Sequence, residues 1–218
     1  MPDIHSSDYR DYVIKDGKFI GEFDQMYRHI DDPWHSVEQV GDFQNDLLLG
    51  ALGHVGGEVK RALDIGCGLG ALTERLRTAL PWAEWHACDV SPTAVERASR
   101  AYPHAHFFVH DLSRPEPLPF KPSSLDLITM AQVMWYVLPH LAGLLGQFCR
   151  LLRPGGHLLA LQDFLPPQEQ QYGKEIVAAP GDLLRFVRQE GFEIRQEVYV
   201  GAQPPLPQVL LLWAVKAA

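Results

Sequence analysis

A chain of 218 residues, 46% of them apolar, is long enough to bury one sizeable core and too apolar to be disordered. Its formal net charge of −8 repels a phosphate polymer at long range, so no nucleic-acid partner is expected. No apolar run approaches the roughly 20 residues that span a bilayer, so no membrane partner is expected either.

The polar, acidic opening MPDIHSSDYRDY does not read as a secretory core. Three scattered cysteines without a CxxC pair fit free thiols in a reducing, cytoplasmic setting. Residues 1–60 read as an appendage, because sixty residues with few large apolar groups make a poor core alone. Within it, DYVIKDGKFIGEF has the makings of a short hairpin turning at Asp16-Gly17.

QMYRHIDDPWHS follows, and three readings compete for it: a metal site, a capped turn, or a lid over a ligand. As a metal site it is poor, because His29 and His35 are six apart with Asp-Pro between them. As a turn, Asp31-Asp32-Pro33 is self-sufficient, since Asp favours turn starts and Pro presets φ. A turn leaves Tyr27, Arg28 and Trp34 without a role. Residues 37–52 then read as a helix with Leu47, Leu48 and Leu49 at its apolar end.

From residue 61 to the end, short apolar runs alternate with helical stretches. The runs at 61–65, 84–90, 106–112, 125–130 and 157–161 are strand-like. Residues 73–80, 92–102 and 140–152 have helical spacing; Ser91 stands as an N-cap before Pro92, and RPGG closes the third helix. Such alternation means a mostly parallel sheet with helices on both faces. An amphipathic stretch at 181–190 precedes two strand-like runs, 192–200 and 208–215, joined by only GAQPPLP. A parallel crossover needs about a dozen residues, so these two strands should pair antiparallel or straddle a neighbour without a helix, and the sheet should end in one reversed strand. Monomer and homodimer both stay open, an exposed apolar last strand being what would make a dimer plausible.

The sharpest motif is ALDIGCGLG, in which Gly66, Gly68 and Gly70 alternate between a strand and a helix. Glycines there allow a tight bend and let a ligand approach the main chain. Gly66-x-Gly68-x-x-Ala71 also fits a dinucleotide fingerprint. Asp64, however, stands two residues before the first glycine, where a carboxylate suits a cationic ligand better than a pyrophosphate.

The stretch Asp64-Ile65-Gly66-Cys67-Gly68-Leu69-Gly70 resembles the DxGxGxG loop of class I S-adenosylmethionine-dependent methyltransferases. Four further features match in order: HACDVSP, FFVHDL, LRPGG before a strand, and the reversed last strand. The resemblance implies a Rossmann-like, seven-stranded α/β fold over residues 61–218 with an N-terminal lid, and S-adenosylmethionine as cofactor without a metal. It implies that Asp89, with Val90 beside it, holds the ribose hydroxyls, and that Asp111, with Leu112, lies on the adenine side. Cys67 is expected only to be small enough for the loop.

Ligands of open α/β sheets bind at the carboxyl ends of the strands. The resemblance turns the segment AQVMWYVLPH toward the sulfonium, making Met134 and Trp135 acceptor-side candidates and Gln132, Tyr136 and His140 catalytic ones. The aromatic–Arg stretch leading to Asp-Pro-Trp resembles the nodulation-type (NodS-like) N-methyltransferases, which act on amines of sugars and other small molecules. Gln132 stands where those relatives often carry a glutamate, so the amino-sugar acceptor does not carry over. By the same resemblance Tyr27 and Trp34 would screen the sulfonium and Arg28 would bind the methionine carboxylate. The expected activity is methyl transfer by in-line displacement to a nitrogen or oxygen of a small molecule. A catalytically silent sensor and a nicotinamide-dependent oxidoreductase are the alternatives.

Overall fold

The computed structural model describes residues 6–38, 42–55, 58–114, 116–166, 168–201 and 208–217. The segment before the glycine loop holds a 3-10 turn, Tyr9–Asp11, a two-residue hairpin of β1 (Ile14–Lys15) and β2 (Lys18–Phe19), and helices α1 (Phe23–His29) and α2 (Phe43–Val55). The hairpin turns where expected, with Asp16 and Gly17 at φ 51° and 72°, as a two-residue turn of twisted strands requires. Residues 39–41 of the helix expected over 37–52 lie outside the described residues. Asp42 accepts the Asn45 N–H at 2.9 Å and so caps the start of α2.

The core continues as β3 (Arg61–Ile65), α3 (Ala71–Ala79), β4 (Glu84–Asp89), α4 (Pro92–Ala101), β5 (His106–Val109), β6 (Leu125–Ala131), α5 (Leu141–Leu151), β7 (Leu152–Phe164), α6 (Pro180–Gln189), β8 (Phe192–Gly201) and β9 (Gln208–Lys216). Ser91 caps α4 as its sequence dictates, its hydroxyl accepting the Ala94 N–H at 3.1 Å with Pro92 in the first turn. The seven strands run in the order β5-β4-β3-β6-β7-β9-β8. The first five are parallel, and β9 is antiparallel to both of its neighbours. The Rossmann-like sheet with a reversed last strand is therefore borne out. The link GAQPPLP lies, from Ala202 on, outside the described residues.

The period-2 pattern of the central strands divides the core into two layers. Ile128, Met130, Leu158 and Leu212 face α5 and α6, whereas Leu127, Leu159, Leu161 and Leu211 face α2 and α3. Leu48 and Leu52 of α2 are fully buried in the second layer, so residue 60 marks no boundary in packing.

One expectation fails. The last strand is not an exposed edge: Leu210 and Leu212 of β9 are fully buried between β7 and β8. The edge is β8, whose exposed Glu193, Arg195 and Glu197 blunt it against strand pairing. The argument for a homodimer through an apolar last strand thereby loses its basis. No helix among the described residues is long and apolar enough to cross a membrane.

Candidate active site

The carboxyl ends of β3 to β7 open into a cleft of about 1140 Å³, closed on one side by the N-terminal segment. Twelve of the residues singled out in the sequence line it: Tyr27, Trp34, Gly66, Cys67, Gly68, Asp89, Val90, Asp111, Leu112, Gln132, Trp135 and Tyr136. Arg28, Asp64, Gly70, Met134 and His140 do not.

The three loop glycines all have left-handed backbones, with φ of 70°, 52° and 81° at Gly66, Gly68 and Gly70. A Cβ on Gly66 would lie 2.3 Å from a Val133 methyl carbon, and one on Gly68 would lie 2.7 Å from the Tyr27 hydroxyl. The loop spends its own amides internally. Gly66 and Cys67 N–H donate to Cys88 O at 2.8 and 3.0 Å, Gly70 N–H to Cys67 O at 2.9 Å, and Gly68 N–H to Asp89 Oδ2 at 2.9 Å. Asp89 Oδ1 accepts the Ser91 N–H at 2.9 Å. Burial raises the Asp89 carboxyl above its ordinary range against these hydrogen bonds.

Asp64 overturns its expected placement. It points under the loop, 2% exposed, and accepts from the Thr73 and Thr129 hydroxyls at 2.6 and 2.7 Å. Burial lifts its carboxyl from 3.8 to about 6. The physical reason is the pleat: a strand side chain one step from the loop faces the sheet's layers, and only the threonines supply donors there. Through these two hydrogen bonds Asp64 ties β3 to α3 and β6 beneath the loop. Cys67 is consistent with a merely small residue, because burial pushes its thiol well above the ordinary range.

On the far wall, burial would raise the Asp111 carboxyl, but hydrogen bonds from the Ser113 hydroxyl at 2.6 Å and Arg114 Nε at 3.0 Å outweigh it and hold it low. Past the end of β6, Met134 is wholly buried in the core and not in the cleft, because the 3-10 turn over 134–136 directs it inward. His140 is exposed and lines a smaller depression with Arg114 and Glu116, which adjoins the cleft at His110, Leu112 and Ser113. Tyr136 does face the cleft, with its phenol raised by burial and therefore protonated at neutral pH.

The stretch QMYRHIDDPWHS resolves into a turn that builds a wall. Asp32 accepts the Ser36 and Val37 N–H groups at 2.9 and 2.8 Å, which explains the bend. The two histidines diverge, His35 toward Glu38 at 3.3 Å and His29 toward Tyr12 at 3.5 Å. Trp34 Nε1 donates to the Tyr27 hydroxyl at 3.0 Å, and its ring packs in tilted geometry against Tyr9 and Tyr136, with centroids at 4.6 and 5.8 Å. Arg28 instead turns away, 63% exposed, and pairs with Asp24 at 2.7 Å. The other oxygen of Asp24 accepts from the Ser91 hydroxyl and the Thr93 N–H, both at 2.9 Å, tying α1 to the head of α4. The arginine that lines the cleft is Arg10, paired with Asp8. Sequence reasoning missed Arg10, and also Gln44 and Asp163, which no local motif marks.

Residues 62–156 match the family model of methyltransferase domains. Over that segment the chain is similar to methyltransferase domains. Its similarity to nodulation protein S of Rhizobium tropici is 30% identity over 135 residues, covering 59% of this chain and 54% of that protein. It is 25% identical to a ubiquinone biosynthesis O-methyltransferase of Cupriavidus pinatubonensis, over 82% of this chain and 78% of the relative. For most of the curated relatives it matches, this chain spans about half their length or less. Among solved structures, the N-methyltransferase NodS of Bradyrhizobium japonicum in complex with S-adenosylhomocysteine shares the fold at a TM-score of 0.66 and 22% identity, over 86% of this chain and 93% of that one.

Proposed function

We propose that this chain transfers a methyl group from S-adenosylmethionine to a nitrogen or oxygen of a small molecule. The observation that carries the reading is the loop's internal hydrogen bonding. With Gly66, Cys67, Gly68 and Gly70 N–H groups all spent, the loop has little left to cradle a pyrophosphate, which a nicotinamide cofactor would need. The cleft wall carries Asp89 and Asp111 instead, and the two cationic side chains lining the cleft, Arg10 and Lys15, are each paired with an aspartate. Such a wall suits a cationic nucleoside with a vicinal diol.

The residues present fit that cofactor. Asp89 would take the ribose hydroxyls, Asp111 and Leu112 the adenine side, and Tyr27, Trp34 and Tyr136 would bound the sulfonium with aromatic faces. When bound, the cofactor supplies a methyl carbon on a sulfonium sulfur that leaves as a neutral thioether. The chain's part is to orient the acceptor in line and exclude water. Neither His140 nor the protonated Tyr136 phenol acts as a base, so the nucleophile arrives with a free lone pair and its proton passes to solvent. The acidic chain fits a small-molecule acceptor better than a phosphate polymer.

Calorimetric titration with S-adenosylhomocysteine and with NAD⁺ tests the reading. Binding of the first alone supports it; binding of NAD⁺ alone overturns it. Asp89→Ala should weaken S-adenosylhomocysteine about 100-fold, and unchanged affinity would remove the ribose contact. Turnover on an acceptor panel separates the enzyme from a silent sensor.

A further inference from the structure

The acceptor end of the cleft holds a chain of hydrogen bonds whose direction the backbone sets. Met134 N–H donates to Gln162 Oε1 at 3.0 Å, which fixes the orientation of that amide. Gln162 Nε2 donates to Gln132 Oε1 at 3.0 Å, and Asp163 N–H donates to the same oxygen at 2.9 Å. Gln132 Nε2 in turn donates to Gln44 Oε1 at 3.0 Å, and Gln44 Nε2 reaches Asp163 Oδ2 at 3.4 Å. Side chains from α2, the end of β6 and β7 thus run in one sense, from a buried N–H to a carboxylate.

The chain leaves one buried acceptor unfilled beside the cleft. Asp163 lines the cleft, yet its Oδ1 is the only buried side-chain nitrogen or oxygen without a hydrogen-bond partner among the described residues. Its Oδ2 holds one long contact. Gln132 is held at φ 60° directly past β6, a backbone that a glutamine rarely adopts, and its amide keeps one N–H beyond the bond to Gln44. An orphaned acceptor beside a spare donor is an unfinished recognition site.

We propose that Asp163 and Gln132 form the acceptor subsite and read a hydroxyl group carried by the acceptor next to its nucleophile. The hydroxyl donates to Asp163 and accepts from the spare Gln132 N–H, and a turn of the Asp163 side chain toward the cleft costs only the long contact to Gln44. A carboxylate in the same place meets Asp163 as a like charge. An ammonium satisfies Asp163 but meets the Gln132 donor unpaired. The proposal rests on the methyltransferase reading above.

Phenol, catechol and salicylate test it, because each offers a phenolic oxygen with hydrogen, hydroxyl or carboxylate beside it, the comparison with Asp163→Asn separating the subsite from the phenols' own acidities, and because Trp135 and Tyr136 line the cleft. With S-adenosylmethionine present, formation of S-adenosylhomocysteine should give catechol a kcat/KM at least tenfold above phenol and salicylate. Asp163→Asn should narrow the catechol-to-salicylate ratio about tenfold, chiefly through KM, while leaving the Kd of S-adenosylhomocysteine unchanged. Salicylate equal to catechol, an unchanged ratio in Asp163→Asn, or no turnover of any of the three by a protein that binds S-adenosylhomocysteine would overturn the subsite. Loss of S-adenosylhomocysteine binding by the wild-type protein would instead overturn the methyltransferase reading.

Discussion

The two ends of the cleft are built in different ways. At the glycine-loop end, Gly66, Gly68, Gly70 and Asp89 belong to two consecutive strand-to-helix turns, and their bonds join residues within one β-α-β unit. At the acceptor end, Gln44, Gln132, Gln162 and Asp163 come from elements as far as 119 residues apart in the chain. The first end is a backbone conformation written in glycines. The second is an arrangement of side chains that exists only after α2 has packed on the sheet. The contrast teaches that the shared chemistry sits where local geometry suffices, and the acceptor choice where distant elements meet.

Substitutions at the glycine-loop end should do the greater damage. Gly66→Ala places a methyl 2.3 Å from Val133 on a left-handed backbone, so it should cost about 2–4 kcal/mol of stability and abolish S-adenosylhomocysteine binding. Thermal unfolding and calorimetry read both, and a variant that binds normally would mean the loop tolerates a side chain.

A second probe of the same end uses pH. The Asp64 carboxyl is raised in the folded chain from 3.8 to about 6, so the folded state holds its proton more tightly than the unfolded one. Stability from this group is fully present below the unfolded value and is lost as pH rises through about 6. Linkage puts the loss at roughly 3 kcal/mol. Asp64→Asn should abolish that part of the pH dependence, because an amide does not titrate. Denaturant unfolding of both proteins at pH 4 and pH 7 measures it, and parallel curves would refute the raised carboxyl.

The smallest effects belong to the lid. Asp24→Ala removes the acceptor for Ser91 and Thr93 and should cost about 1–2 kcal/mol, with a few-fold loss of cofactor affinity. Arg28→Ala removes only an exposed partner of Asp24 and should change stability by less than about 0.5 kcal/mol and affinity not at all. A large affinity loss in Arg28→Ala would restore it as a carboxylate ligand.

Much of the fold was legible because its signals are local. Ser91-Pro92 announced α4, Asp16-Gly17 the hairpin, and the shortness of GAQPPLP the reversed strand. The candidate residues that do not line the cleft share one cause, which is that side-chain direction is a tertiary property. Asp64 and Arg28 stood at suitable sequence positions, yet the pleat aimed one under the loop and α1 aimed the other at Asp24. Met134 and His140 were carried away from the cleft by two successive 3-10 turns that no local pattern marks.

The sequence by itself determined the α/β sheet, the glycine turn and the acids at the strand ends, because strand period, cap chemistry and left-handed backbones depend on neighbours in the chain. Only the tertiary structure decided that Arg10 and not Arg28 lines the cleft, that β9 lies inside the sheet, and that Gln44 meets Gln132 and Asp163. Those outcomes depend on how buried polar groups find partners once distant elements pack, and no local spacing carries that information.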